Sequence, residues 1–175
     1  EDLLSLARIE REEEARDFDL EERGIREHLI NAIQTFERRA FSRNIHLELQ
    51  CSTQIKALIN PHLFEQAVIN LIDNSIKYSK PDKKIFISGK IQDTTIEISV
   101  KDQGCGIPAE HFPRLFERFY RVDKARSREM GGTGLGLAIV KHIIQLHHGS
   151  IDVQSKVNEG STFTIRLPVP GTAST

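Results

Sequence analysis

The chain has only two cysteines, Cys51 and Cys105, far apart in different contexts. Two thiols cannot build a zinc site alone, and the pair reads as free cysteines of a reducing compartment. No stretch reaches the roughly 18 apolar residues that cross a bilayer, and no signal peptide is visible. There is no Gly-x-x-x-x-Gly-Lys-Ser/Thr phosphate loop, and no Gly-x-Gly-x-x-Gly sits between a strand and a helix in a parallel-sheet pattern. The histidines show no metal-ligand spacing, and no internal repeat is present. A net charge of -1 lacks the basic excess of a general nucleic-acid binder. What remains, 175 residues with 38% apolar content, fits one domain around one core. The chain opens at Glu1, in mid-pattern and without Met. It therefore reads as a fragment of a longer protein, with any membrane span lying outside it.

Hydrophobic periodicity sets out the elements. Residues 1–14 are helical in pattern, with Leu3, Leu6 and Ala7 on one face and charge elsewhere. Such a stretch is too short to fold alone, so residues 1–16 are expected to belong to a neighbouring helical unit. A short edge strand is expected at 17–20 and a helix over 21–43, with Ile25, Leu29, Ile33 and Phe36 on one face. Ile45 to Leu49 alternates as a strand. Asn60-Pro61 is a helix start, a capping side chain followed by proline at the first helical position, and the helix runs to Tyr78. Its buried stripe is Phe64, Val68, Leu71, Ile72 and Ser75. Residues 84–91 and 94–101 form a hairpin with Ile96, Ile98 and Val100 inward. From 103 to 133 regularity weakens apart from a helix-like 113–119, as expected of a lid. A helix over 135–147 and strands at 150–156 and 161–168 follow, and residues 169–175 form a loose tail. Helices grouped with adjacent hairpins indicate an α+β two-layer sandwich.

Three groups carry the chemistry. Asn70, Asn74 and Lys77 share one face of an otherwise apolar helix, at i, i+4 and i+7. Magnesium takes hard oxygen ligands and keeps water and substrate phosphate in its shell, and an asparagine amide adds a neutral oxygen without repelling a triphosphate. Asp102 ends a strand and is followed by Gly104 and Gly106, where backbone can approach a ligand closely. A carboxylate at the base of a pocket accepts from the exocyclic amine of adenine and rejects guanine, which presents an oxygen there. The run Gly131-Gly132-Thr133-Gly134-Leu135-Gly136-Leu137 leads straight into a helix, whose first amides and positive dipole end hold phosphate. Between them, six of the nineteen residues from Phe112 to Met130 are basic and three acidic, a local surplus suited to a small anion. Phe116, Phe119 and Tyr120 are placed to clip this lid to the domain, and Arg121 and Lys124 to reach phosphates. Each group alone is common; the ordered set reads as a pocket for ATP and a divalent cation.

Together these residues resemble the catalytic, ATP-binding domain of sensor histidine kinases, within the gyrase, Hsp90, histidine kinase and MutL superfamily. Asn70 to Tyr78 resembles the family's N box, Asp102 to Pro108 the G1 box, Leu115 to Arg121 the F box, and Gly132 to Leu137 the G2 box. Gly160 to Phe163 resembles the last glycine motif. The run from Tyr120 to Arg128 is most similar to the phosphate-starvation type of sensor kinase. The resemblance covers residues 17–168 and implies a Bergerat fold, a mixed sheet of about five strands with three helices on one face and ATP under a mobile lid.

It also implies roles. Asn74 with Asn70 holds Mg2+. Lys77, Tyr78, Arg121 and Lys124 serve the phosphates, and Asp102 reads adenine. Gly104, Gly106 and Ile107, the segment Gly132, Thr133, Gly134, Leu135, Gly136 and Leu137, and Ser161 and Thr162 complete the ATP site. Residues 1–16 resemble the end of a dimerisation helix. None of the seven histidines sits in the family's phosphoacceptor pattern, His-Glu/Asp-x-x-Thr/Ser-Pro. The expected partners are therefore a dimerisation and phosphoacceptor domain of the same protein and a response-regulator receiver domain, and not nucleic acid. The whole protein is expected to be a membrane-anchored homodimer with this domain in the cytoplasm, and the fragment a monomer. ATPase relatives keep a glutamate four residues before the magnesium asparagine as general base; here that place is Asn70, which favours phosphoryl transfer over hydrolysis. A gyrase- or Hsp90-type ATPase, an anti-sigma-type serine kinase and a non-catalytic nucleotide module are the competing readings.

Overall fold

The computed structural model describes residues 19–123 and 132–171. Strand β1 (Glu21–Gly24) leads into helix α1 (Ile25–Gln34), a short helix α2 (Glu37–Ser42), β2 (His46–Cys51) and β3 (Lys56–Ile59). The long helix α3 (Pro61–Tyr78) is followed by β4 (Lys84–Gln92), β5 (Thr95–Lys101) and a 3-10 helix at Ala109–Arg114. Helix α4 (Gly136–Leu146), β6 (Ser150–Lys156) and β7 (Gly160–Pro168) complete the described elements.

Five strands form one mixed sheet in the order β2-β4-β5-β7-β6, with β2 and β4 parallel and the other pairs antiparallel. Alternate residues of the central strands, Ile85 and Ile87, Ile96, Ile98 and Val100, and Phe163, Ile165 and Leu167, are buried on one face. The helices lie against that face, α3 between α1 and α4, with Phe64, Val68, Leu71 and Ile72 of α3 fully buried. This is the expected two-layer α+β sandwich with its five-stranded mixed sheet. Both cysteines are free.

The entry to the domain differs from the expected helix over 21–43. Residues 19 and 20 are not strand, and 17 and 18 lie outside the described residues. The strand comes later, as β1, which pairs antiparallel with β3. The helix that follows is broken at Thr35-Phe36. Thr35 Oγ1 donates to the Asn31 carbonyl at 3.2 Å, and the Phe36 amide donates to Ile33 O at 2.9 Å, which tightens the last turn and ends α1. The expected helix at 113–119 is instead the earlier 3-10 turn, with turns after it; Pro113 sits inside that turn and Phe119 adopts φ 64°. The expected dimerisation-helix remnant at 1–16 lies outside the described residues.

Candidate functional site

Helix α3 carries one wall of the site. Asn60 Oδ1 accepts from the Leu63 amide at 3.1 Å and Pro61 occupies the first turn, which fixes where the helix begins. The start is held from a second side by His147 at the end of α4. Its Nε2 accepts from the Asn60 amide at 3.0 Å while Nδ1 lies 2.7 Å from Ile143 O. An amide donates and a carbonyl accepts, so the proton sits on Nδ1. His147 is thus a helix cap. With one stripe of α3 in the core, the opposite stripe faces a cleft of about 670 Å³ and contributes Asn70, Asp73, Asn74, Lys77 and Tyr78 to its wall.

The floor of the cleft is Asp102, delivered by the end of β5 and only 4% exposed. Its Oδ1 accepts from the Gly104 amide at 2.8 Å and from the Ser161 amide at 3.2 Å. Both backbone donors use the same oxygen, which leaves Oδ2 for a ligand. Burial raises the Asp102 carboxyl above its ordinary value, against the opposing pull of these two amides and of the nearby Ser75 hydroxyl. Ser75 Oγ is itself buried without a full hydrogen bond, so its contribution is the weaker one. Gly104 is required by close approach: a Cβ there would stand 2.6 Å from Tyr78 O and 2.8 Å from Asp102 Oδ1.

The far wall is the lid root. Leu115 is buried, and Phe116 packs edge-on against Phe163 with ring centroids 6.5 Å apart. Tyr120 is fixed by its hydroxyl, 2.6 Å from His111 Nδ1, and by the Arg114 guanidinium 4.5 Å above its ring. Phe119 departs from expectation, because its ring is 61% exposed and anchors nothing. Its backbone is the clip, donating to Gly134 O at 2.9 Å.

Most expected site residues meet in this one cleft. Asn70, Asn74, Lys77, Tyr78, Asp102, Gly106, Ile107, Arg121, Gly132, Thr133, Gly134, Gly136, Leu137 and Ser161 all line it. Three do not. Gly104 lies behind Asp102 and faces a smaller adjoining cavity beside Lys80 and Lys83. Leu135 is 1% exposed and packs in the core as the residue preceding α4. Thr162 sits inside β7, paired with Lys101 and Gln154. Lys124 lies outside the described residues.

The structure also adds residues. Asp73 lines the cleft with both carboxylate oxygens engaged, Oδ2 with Lys77 Nζ at 2.6 Å and Oδ1 with Arg39 of α2. Its place one residue before Asn74 was the available signal. Cys105 and Asn158 line the cleft as well, joined where the Asn158 amide donates to Cys105 O at 2.8 Å; Cys105 falls inside the marked segment 102–108, whereas nothing in its local sequence marked Asn158.

The two asparagines differ. Asn70 is held at both ends, its Oδ1 accepting from Gln66 Nε2 at 3.2 Å and its Nδ2 donating to Gly136 O at 3.3 Å. Asn74 lines the same wall one turn further along. Two neutral amide oxygens on this wall suit a small hard cation that brings water and phosphate oxygens with it. Among the described residues no group of three or more His, Cys, Asp or Glu is placed to hold a metal by itself.

Comparison with known proteins agrees with this geometry. Residues 59–171 match the family model described as histidine kinase-, DNA gyrase B-, and HSP90-like ATPase. The chain is 39% identical over 167 residues to the sensor-like histidine kinase SenX3 of Mycolicibacterium smegmatis, covering 95% of this chain and 43% of that protein. It is 46% identical over 114 residues to the signal transduction histidine-protein kinase ArlS of Staphylococcus aureus, covering 65% of this chain and 25% of that protein. The chain thus spans less than half the length of these relatives. Among solved structures, the mycobacterial sensor histidine kinase MprB superposes with a TM-score of 0.75 at 28% identity, covering 86% of this chain and 97% of that one. The nucleotide-free catalytic domain of histidine kinase ThkA gives 0.76 at 26% identity, covering 86% of this chain and 96% of that one. The chain belongs to the family of histidine kinase-, DNA gyrase B- and HSP90-like ATPases.

Proposed function

We propose that this chain is the ATP-binding catalytic domain of a sensor histidine kinase. It holds ATP with a magnesium ion and presents the γ-phosphate to a histidine on a dimerisation domain of the same protein. The observation that carries the reading is the amide at Asn70, in a cleft whose floor is the buried Asp102. An amide cannot take a proton from water, so the position that serves hydrolytic relatives as general base is chemically silent. Asp73, on the same wall, has both carboxylate oxygens engaged, by Lys77 and by Arg39.

Asp102 Oδ2 accepts from the adenine amine. Lys77, Tyr78 and Arg121 serve the phosphates, and the segment 132–136 closes over them. Asn74 and Asn70 would hold magnesium, which when bound would neutralise phosphate charge. Positioning and charge neutralisation are what phosphoryl transfer most needs from a protein. The names of the relatives support histidine as the acceptor. A response-regulator receiver domain, a homodimeric whole protein and a membrane anchor outside this chain are proposals on the same footing. So is the phosphate-starvation subgroup, which the run at 120–128 supports. No helix among the described residues is long and apolar enough to cross a membrane.

The test mixes the chain with ATP, magnesium and a supplied dimerisation domain. Phosphohistidine forms on the supplied domain, is lost in Asn74→Ala, and does not form on this chain alone. Steady phosphate release by the isolated chain, lost in the same variant, would instead make it an ATPase.

A further inference from the structure

Gln66 lies one helical turn before Asn70 and belongs to none of the motifs described above. Its side chain forms the first link of a short chain, Gln66 Nε2 to Asn70 Oδ1 at 3.2 Å and Asn70 Nδ2 to Gly136 O at 3.3 Å. The direction of this chain is not interchangeable. A backbone carbonyl only accepts, so the atom that Asn70 turns to Gly136 is its NH2. Asn70 then presents its oxygen to Gln66, and Gln66 must offer a donor.

We propose that Gln66 is a positioning residue for the nucleotide-borne cation: with Gly136 it clamps both ends of the Asn70 amide and leaves one lone pair of Oδ1 for the metal. This rests on the reading of the cleft as a magnesium-nucleotide site. An amide oxygen has two lone pairs; Gln66 uses one, and its hydrogen bond sets where the other points. Gln–Asn pairs at this spacing occur on ordinary helices. The third member separates this pair from those, because Gly136 belongs to α4, where the lid rejoins the domain. The orientation of Asn70 is therefore determined across the cleft. Asn74, one turn on, has no such clamp among the described residues. The wall thus offers one fixed amide oxygen and one adjustable one, both facing the same cleft.

The experiment titrates the chain with a non-hydrolysable ATP analogue, once with magnesium and once with a chelator. Q66E keeps shape and length but sets an acceptor against Asn70 Oδ1, while Q66L removes the contact. Partners that orient a metal ligand are worth about 10–100-fold in metal affinity. Q66E is accordingly expected to lose about tenfold or more of the gain in affinity that magnesium brings, and Q66L a smaller part. Affinity in chelator and the thermal midpoint stay near wild type. Retention of the full magnesium gain by both variants overturns the proposal. Equal losses with and without metal overturn it too, because they report a structural role. A wild-type chain whose affinity ignores magnesium removes the reading of the cleft itself, and this inference with it.

Discussion

The amide of Phe119 donates to the carbonyl of Gly134 at 2.9 Å, so one backbone bond ties together the chain on either side of residues 120–133. Gly134 takes φ 76°, and a Cβ there would stand 2.9 Å from Phe119 Cα and carbonyl carbon. Gly134→Ala must distort this junction, at about 1–3 kcal/mol for a strained position. The expected outcome is faster hydrogen exchange at the Phe119 amide and weaker nucleotide binding. The thermal midpoint falls by the few degrees that such a cost implies for a domain of this size, about 2–4 °C per kcal/mol. Unchanged exchange at Phe119 would show that the bond does not close the lid.

Asp102 sets base choice in the proposed site. Asp102→Asn keeps an acceptor for the Gly104 and Ser161 amides but removes the charge that adenine's amine meets. A hydrogen bond to a charged group is worth about 1.5–3 kcal/mol, so ATP affinity falls by roughly tenfold to a hundredfold on that principle. Discrimination against GTP narrows, as competition titrations with the two nucleotides would read out.

The same residue imposes a pH dependence on the fold. Its folded pKa lies above the ordinary value of 3.8, chiefly because burial disfavours the anion. The native state therefore binds the proton more tightly than the unfolded chain does. Its contribution to stability is fully present below the unfolded value and is lost as pH rises through the folded one. Urea midpoints of wild type should fall over that interval relative to Asp102→Asn, which cannot titrate. Nucleotide affinity runs the other way, rising with pH as the carboxylate forms.

How far the sequence discloses this protein depends on the length and patterning of each part. The helix from Pro61 to Tyr78, the 84–101 hairpin and the last two strands repeat their apolar residues for several periods, and each appears at its expected place. The β1–β3 pair does not announce itself, because Glu21 to Gly24 holds no apolar residue and its partner is four residues long and distant in sequence. Asn70, Asn74 and Asp102 were legible through spacing that implies a shared face and a strand end. Asp73 was overlooked despite its place beside Asn74, since an acidic residue on a helix ordinarily faces solvent. Its place in the cleft lining, with Lys77 beside it, shows which way it faces. Phe119 misleads because its identity suggests a ring in the core, whereas its backbone torsion does the work.

His147 supplies a second pH effect of opposite sign. The ring is 1% exposed, and burial lowers its pKa below the ordinary 6.5, outweighing its hydrogen bond to the Ile143 carbonyl. The folded state resists protonation, so its contribution is present above the unfolded value and lost as pH falls through the folded one. His147→Ala leaves the part-buried Asn60 amide without its acceptor, costing about 1 kcal/mol. It also flattens the acid side of the stability curve, which thermal melts of both proteins between pH 5 and 8 would show.

Asp73 places a negative charge on the wall that the proposed site gives to the triphosphate. Its Oδ2 engages Lys77 at 2.6 Å, so phosphate and carboxylate compete for one ammonium group. In Asp73→Asn that competition ends and the carboxylate's repulsion of the phosphates disappears. The pair is only partly shielded from solvent, so the gain is modest, about 1 kcal/mol or roughly fivefold in affinity. The gain is confined to ligands that carry phosphates. ATP and ADP bind more tightly to Asp73→Asn, while adenosine, which ends before Lys77, binds as it does to wild type. High salt shrinks the difference. Equal changes for adenosine and ATP would mean that Asp73 acts through the fold of α3, with Arg39 as its relevant partner in place of Lys77.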